Sequence, residues 1–188
     1  MKETFISVDI EADGPIPGPH SMLSLGAVAF ADDGTELSSF SVNLQTLPGA
    51  DGHPETMKWW STQPAAWAAH RVDVQDPNTA LPQFAAWARA QPGRPVFVGY
   101  PVVVDFMFVH CYLHRFTAGS PFSHSALDMK TLAMALLGGH FRDATKRHMP
   151  RAWFPPTVTH SHVAVDDARE QGQLFIAMLR ELRARQSA

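Results

Sequence analysis

Two acids separated by one residue, Asp9 and Glu11, close a β-branched stretch that reads as a strand. Side chains alternate along a strand, so both carboxylates point to one side and can share hard cations. Far downstream, His162-Val163-Ala164-Val165-Asp166-Asp167-Ala168 opens a helical pattern and offers an imidazole shortly before another acid. On a helix starting near Ala164, Asp167 shares a face with Ala164, Gln171, Leu174, Phe175 and Met178, whereas Asp166 lines up with Glu170, Gln173, Ala177 and Glu181. An inward carboxylate on an apolar stripe is costly unless it is paired or bound to metal, which favours Asp167 as the ligand and leaves Asp166 as a solvated neighbour. A helix-capping role for Asp167 is the alternative. These residue types suit metal-assisted phosphodiester cleavage. Two divalent ions about 4 Å apart stabilise charge on both the attacking and the leaving oxygen, and hard ions such as Mg²⁺ take carboxylate oxygens. His162 has an ordinary pKa of ~6.5 and can exchange a proton near neutrality; His160 competes with it for that role.

The elements that must position these residues follow from local pattern. Residues 4–9, 23–30 and 36–44 are short runs rich in β-branched and aromatic residues, separated by Gly, Pro and Asp, as consecutive antiparallel strands are. Asp33-Gly34 marks a hairpin. The Pro- and Gly-rich stretch between Glu11 and Met22 predicts a semi-rigid loop beside the acidic pair. Helical spacing follows over 55–61, 64–70 and 79–90, then a buried strand over 94–98. Residues 103–116 resume helical spacing, with Asp105 near the start, where the helix dipole favours an anion. Residues 123–128 predict a short last strand, 129–137 a helix stopped by Gly138-Gly139, 141–156 an irregular basic segment and 164–183 a long terminal helix. Antiparallel strands followed by strands alternating with helices give an α/β layout, a mixed central sheet flanked by helices.

Size and composition agree with a single domain over 1–188. The apolar fraction of 45% is that of an ordinary folded protein and argues against global disorder. No apolar run approaches the roughly 18 residues of a membrane span, and a secretory signal pattern is missing, so a cytoplasmic protein without membrane partners is expected. The net charge of −3 argues against coating duplex DNA by bulk electrostatics, so phosphate contacts must come from local basic patches. The lone cysteine, Cys111, predicts a buried inert thiol.

Three separated motifs resemble the DEDDh branch of the ribonuclease H-like 3′-to-5′ exonucleases. They are Asp9-Ile10-Glu11 followed by the strand Leu23 to Val28, then Asp105-Phe106 after a strand and short loop, and His162, Ala164, Asp167 and Ala168 matching His-x-Ala-x-x-Asp-Ala. Tyr100-Pro101 departs from the family, which often has Asn or a similar polar residue there, and puts local substrate contacts in question. The resemblance implies a ribonuclease H-like fold and two ions, Mg²⁺ or Mn²⁺, held by Asp9, Glu11, Asp105 and Asp167, with Asp9 bridging and His162 as general base. It implies removal of nucleoside 5′-monophosphates from a nucleic acid 3′ end, RNA preferred over DNA, by an enzyme closest to the compact bacterial exoribonucleases. A DNA exonuclease and a non-catalytic nucleic-acid-binding module of the same fold are the alternatives. Related exonucleases often pair as homodimers, and a homodimer is carried as an expectation.

Other candidates carry less. His110 and His114 lie four apart on a predicted helix but have Cys111, not Glu, after the first His, so zinc is not expected. Asp128 predicts a cap for the helix that follows. Trp59-Trp60 could offer a stacking face to a base or could pack between helix and sheet. The segment His140 to Arg151 concentrates positive charge that could contact phosphate or simply be solvated.

Overall fold

The structure, a computed structural model, describes residues 2–155 and 163–187 of the 188-residue chain. Five strands form one mixed sheet: β1 (Glu3–Ala12), β2 (Met22–Ala31), β3 (Glu36–Asn43), β4 (Arg94–Gly99) and β5 (Leu127–Asp128). Their order is β3-β2-β1-β4-β5. β1 pairs antiparallel with β2, and β2 with β3, while β4 runs parallel to both β1 and β5. Between β3 and β4 come α1 (Pro54–Trp60), α2 (Pro64–Ala69) and α3 (Pro77–Ala90); α4 (Val102–Phe116) follows β4, and α5 (Met129–Leu137) and α6 (Ala164–Gln186) complete the chain. This is the α/β arrangement expected from the sequence, with the last strand cut to two residues because it pairs with β4 only through Leu127 and Asp128.

Alternation along β1 divides the core. Ile6, Val8 and Ile10 face α3 and α4, packing with Leu81, Phe84, Phe108 and Tyr112. Phe5 joins the opposite layer, where Val28, Phe30 and Val98 pack against α5 and α6 through Met129, Phe175 and Met178. Full burial of one such side chain is worth roughly 1.5–3 kcal/mol. By the same alternation Ser7, Asp9 and Glu11 lie on the α6 face of β1. Gln171 of α6 donates there to Ser7 Oγ (3.1 Å) and to the Val8 carbonyl (3.0 Å).

A glycine lets the two elements meet. Gly26 pairs with Asp9 across β1 and β2. A Cβ at Gly26 would lie 2.1 Å from the Val165 nitrogen and 2.2 Å from the Ala164 carbonyl carbon, so the first turn of α6 rests directly on the strand beside Asp9.

The loop after β1 is tied down. The Asp13 carboxylate accepts from the Ser21 amide (2.5 Å), Ser21 Oγ accepts from the Leu47 amide (2.9 Å), and the Asp13 carbonyl accepts from the His53 amide (2.7 Å). Asp128 caps α5 by accepting from the Thr131 amide, and Gly138 ends that helix in the left-handed conformation, both as predicted. Cys111 departs from expectation, being half-buried instead of fully enclosed. Among the described residues no helix is long and apolar enough to cross a membrane.

Candidate active site

β1 and α6 bring Asp9, Glu11 and Asp167 together. Each offers a carboxylate oxygen, and these oxygens lie within 4.8 Å of one another, the one grouping of three or more metal-ligating side chains among the described residues. Asp105, in the first turn of α4, is 8% exposed, and its Oδ1 accepts from the Ile10 amide at 3.3 Å. It therefore stands against β1 between the two strand acids in sequence, beside the trio but outside the 4.8 Å grouping. A cleft of ≈ 210 Å³ is lined by Asp9, Ile10, Glu11, Tyr100, Lys146, Asp167 and Gln171. A larger groove, ≈ 530 Å³, runs between α3 and the end of α4, but Arg89 and Arg115 line it and no acid does, so the carboxylate chemistry belongs to the smaller cleft. His162 and its competitor His160 lie outside the described residues.

Electrostatics in the cleft are those of crowded acids. Burial pushes Asp9 well above the usual carboxylate range, and Asp105, Glu11 and Asp167 push it further, while Lys146 pulls the other way. Burial, then Asp167 and Asp105, raise Glu11 to about 8. Burial raises Asp105 to about 7, against the lowering effect of amide hydrogen bonds from Ile10 and from its own backbone. Without a counter-ion these groups resist simultaneous ionisation. An all-oxygen, half-buried and mutually repelling donor set is what a hard divalent cation relieves, so the residues present fit Mg²⁺ or Mn²⁺.

Helical geometry separates Asp166 from Asp167 as expected: Asp166 is exposed and pairs with Arg169 (3.4 Å). One neighbour needs correction. Glu170, expected on the solvated stripe with Asp166, is 7% exposed, because Lys146 Nζ meets its Oε1 at 3.2 Å. Lys146 and Tyr100 line the cleft, although the sequence reading did not place either among the site residues. The signal for Lys146 was the basic segment around it, and for Tyr100 the departure at Tyr100-Pro101, whose peptide bond is cis. The two tryptophans differ in burial. Trp60 is buried and donates to the Ala12 carbonyl (3.0 Å), whereas Trp59 is 43% exposed with its ring 4.6 Å from that of Trp60. The His110 and His114 rings lie 4.4 Å apart, and no third metal-ligating side chain joins them among the described residues.

Comparison with known proteins agrees with this architecture. The family model described as the 3′-5′ exoribonuclease Rv2179c-like domain matches residues 4–179. A protein of Escherichia coli named 3′-5′ DNA exonuclease Cap18 is 35% identical over 178 residues, 93% of this chain and 90% of that protein. Among solved structures, the nuclease domain of 3′hExo, a DEDDh family member bound to rAMP, superposes with a TM-score of 0.69 at 12% identity, covering 96% of this chain and 93% of that one. E. coli exonuclease I in complex with a dT13 oligonucleotide gives a TM-score of 0.66 at 13% identity; it covers 98% of this chain, which spans only 42% of that protein. At such identities the structural matches establish the fold. The chain therefore belongs to the Rv2179c-like 3′-5′ exoribonuclease domain family, a nuclease with the ribonuclease H-like α/β fold of the DEDDh exonucleases.

Proposed function

We propose that this enzyme removes nucleoside 5′-monophosphates one at a time from the 3′ end of RNA. Asp9, Glu11, Asp105 and Asp167 hold two divalent cations, Mg²⁺ or Mn²⁺, and His162 is the general base. The meeting of Asp9, Glu11 and Asp167 oxygens within 4.8 Å, in a cleft that disfavours their charge, carries the proposal. When bound, the cations supply charge stabilisation at the attacking and leaving oxygens. Asp9 and Glu11 fix one wall of the site from β1, Asp167 closes it from α6, and Asp105 braces β1 through the Ile10 amide. His162 accepts the proton of the attacking water, whose oxygen displaces the 3′ oxygen of the penultimate nucleotide in line, so the terminal nucleotide leaves with its 5′ phosphate.

A DNA substrate is the second reading, favoured by the name of the 35% identical relative. Incubation of 3′- and 5′-labelled RNA and DNA oligonucleotides with Mg²⁺ or Mn²⁺ tests both. Mononucleotide release from 3′ ends, faster on RNA, and a loss of at least about 100-fold in Asp167→Asn are expected. Equal turnover by the variant removes the ligand assignment, shortening from the 5′ end removes the polarity, and faster turnover of DNA reverses the sugar preference.

A further inference from the structure

We propose that Lys146 is a substrate-binding residue whose ammonium holds a non-bridging oxygen of the scissile phosphate; this rests on the phosphodiester-hydrolase reading above. Among the described residues Lys146 is the one cationic side chain lining the ≈ 210 Å³ cleft, where it stands with Asp9, Glu11 and Asp167. It belongs to a 3-10 turn, Lys146–His148, in a segment fixed by the Tyr100 hydroxyl, which donates to the Ala144 carbonyl at 3.0 Å. Its Nζ donates to Glu170 Oε1 at 3.2 Å. An ammonium has three protons to donate, so the pair with Glu170 positions the group and leaves donors for a second anion. Glu170 lies one helical turn beyond Asp167 on α6, which sets this cation next to the carboxylate trio.

A cation at that place has a chemical use beyond balancing Glu170. A phosphodiester brings its own negative charge to a cleft already crowded with carboxylates, and that charge grows on the equatorial oxygens as the nucleophile arrives. A fixed donor beside the reacting phosphate stabilises it more in the transition state than in the ground state. Arg147 and Arg151, both exposed, follow Lys146 in sequence in a chain of net charge −3.

The competing role is structural, a pair that only satisfies buried Glu170. Removing one partner of a buried ion pair is damaging, whereas replacing both by neutral groups is often tolerated. The test therefore compares wild type, Lys146→Met, Lys146→Arg and the double variant Lys146→Met/Glu170→Gln. Substrates are a 3′-labelled oligonucleotide and thymidine 5′-(p-nitrophenyl) phosphate, which holds a single phosphodiester. Loss of a charge-assisted contact is expected to lower kcat/KM by about 10- to 100-fold on both substrates. The loss should persist in the double variant, while its melting temperature returns toward wild type, and Lys146→Arg should retain part of the activity. Recovery of wild-type kcat/KM in the double variant would make the pair structural and overturn the proposal. A loss confined to the oligonucleotide would move the contact to an upstream phosphate and overturn it equally. Wild type that hydrolyses neither substrate defeats the hydrolase reading itself, whereas active wild type matched by Lys146→Met defeats the lysine assignment alone.

Discussion

Glu11, a ligand in the proposed cation site, shows at the scale of one residue how crowded acids burden the cation-free fold. Burial and the neighbouring Asp167 and Asp105 raise its carboxyl to about 8, so ionising it in the folded chain is unfavourable. Glu11→Gln keeps the shape and removes the charge. In EDTA the variant should melt higher than wild type at pH 9 and close to it at pH 4, below the ordinary carboxylate value, while its activity falls by at least about 100-fold with Mg²⁺. Thermal melts at the two pH values check this, and a variant that melts lower than wild type at pH 9 would contradict the raised pKa. The acids of the cleft were legible from type and spacing because period two fixes the sides of β1 and a 3.6-residue period fixes the faces of α6. Lys146 was not, since it sits in a segment without regular periodicity, and Glu170 misled because an ion pair, not the hydrophobic stripe, decides its burial.

The pairing of β2 with the first turn of α6 sets the cleft at the scale of elements. Gly26 leaves room for the Ala164–Val165 backbone, and Gly26→Ala would drive a methyl into main-chain atoms that no rotamer change can move aside. Overpacking of this kind costs typically 1–3 kcal/mol. Because α6 carries Asp167, the variant should lose both melting temperature and kcat, and divalent cations should stabilise it less than wild type. Calorimetry with and without Mg²⁺ would measure this, and an unchanged cation response would show that α6 keeps its place. This close approach was hidden in the sequence, where Gly26 is one small residue in an apolar strand. The strands themselves were visible, apart from the last, whose length depends on how far β4 can pair and not on its own composition.

Over the whole molecule the raised carboxyls make stability depend on pH in an unusual direction. Glu11 rises from 4.5 to about 8 on folding and Asp105 from 3.8 to about 7, so across that window the folded chain binds more protons than the unfolded one. Stability contributed by these groups is full below their unfolded values and is lost as pH climbs toward 8. Metal-free protein should therefore melt progressively lower from pH 5 to pH 8, and Mg²⁺ or Mn²⁺ should flatten the trend by binding only the folded, ionised site. A melting temperature that rises over this range in EDTA would count against the electrostatic description of the cleft.

Among the described residues, all five strands are encoded before the helix that bears Asp167. A polypeptide halted short of α6 thus carries Asp9 and Glu11 but lacks both Asp167 and the helix whose Leu174, Phe175 and Met178 cover that face of the sheet.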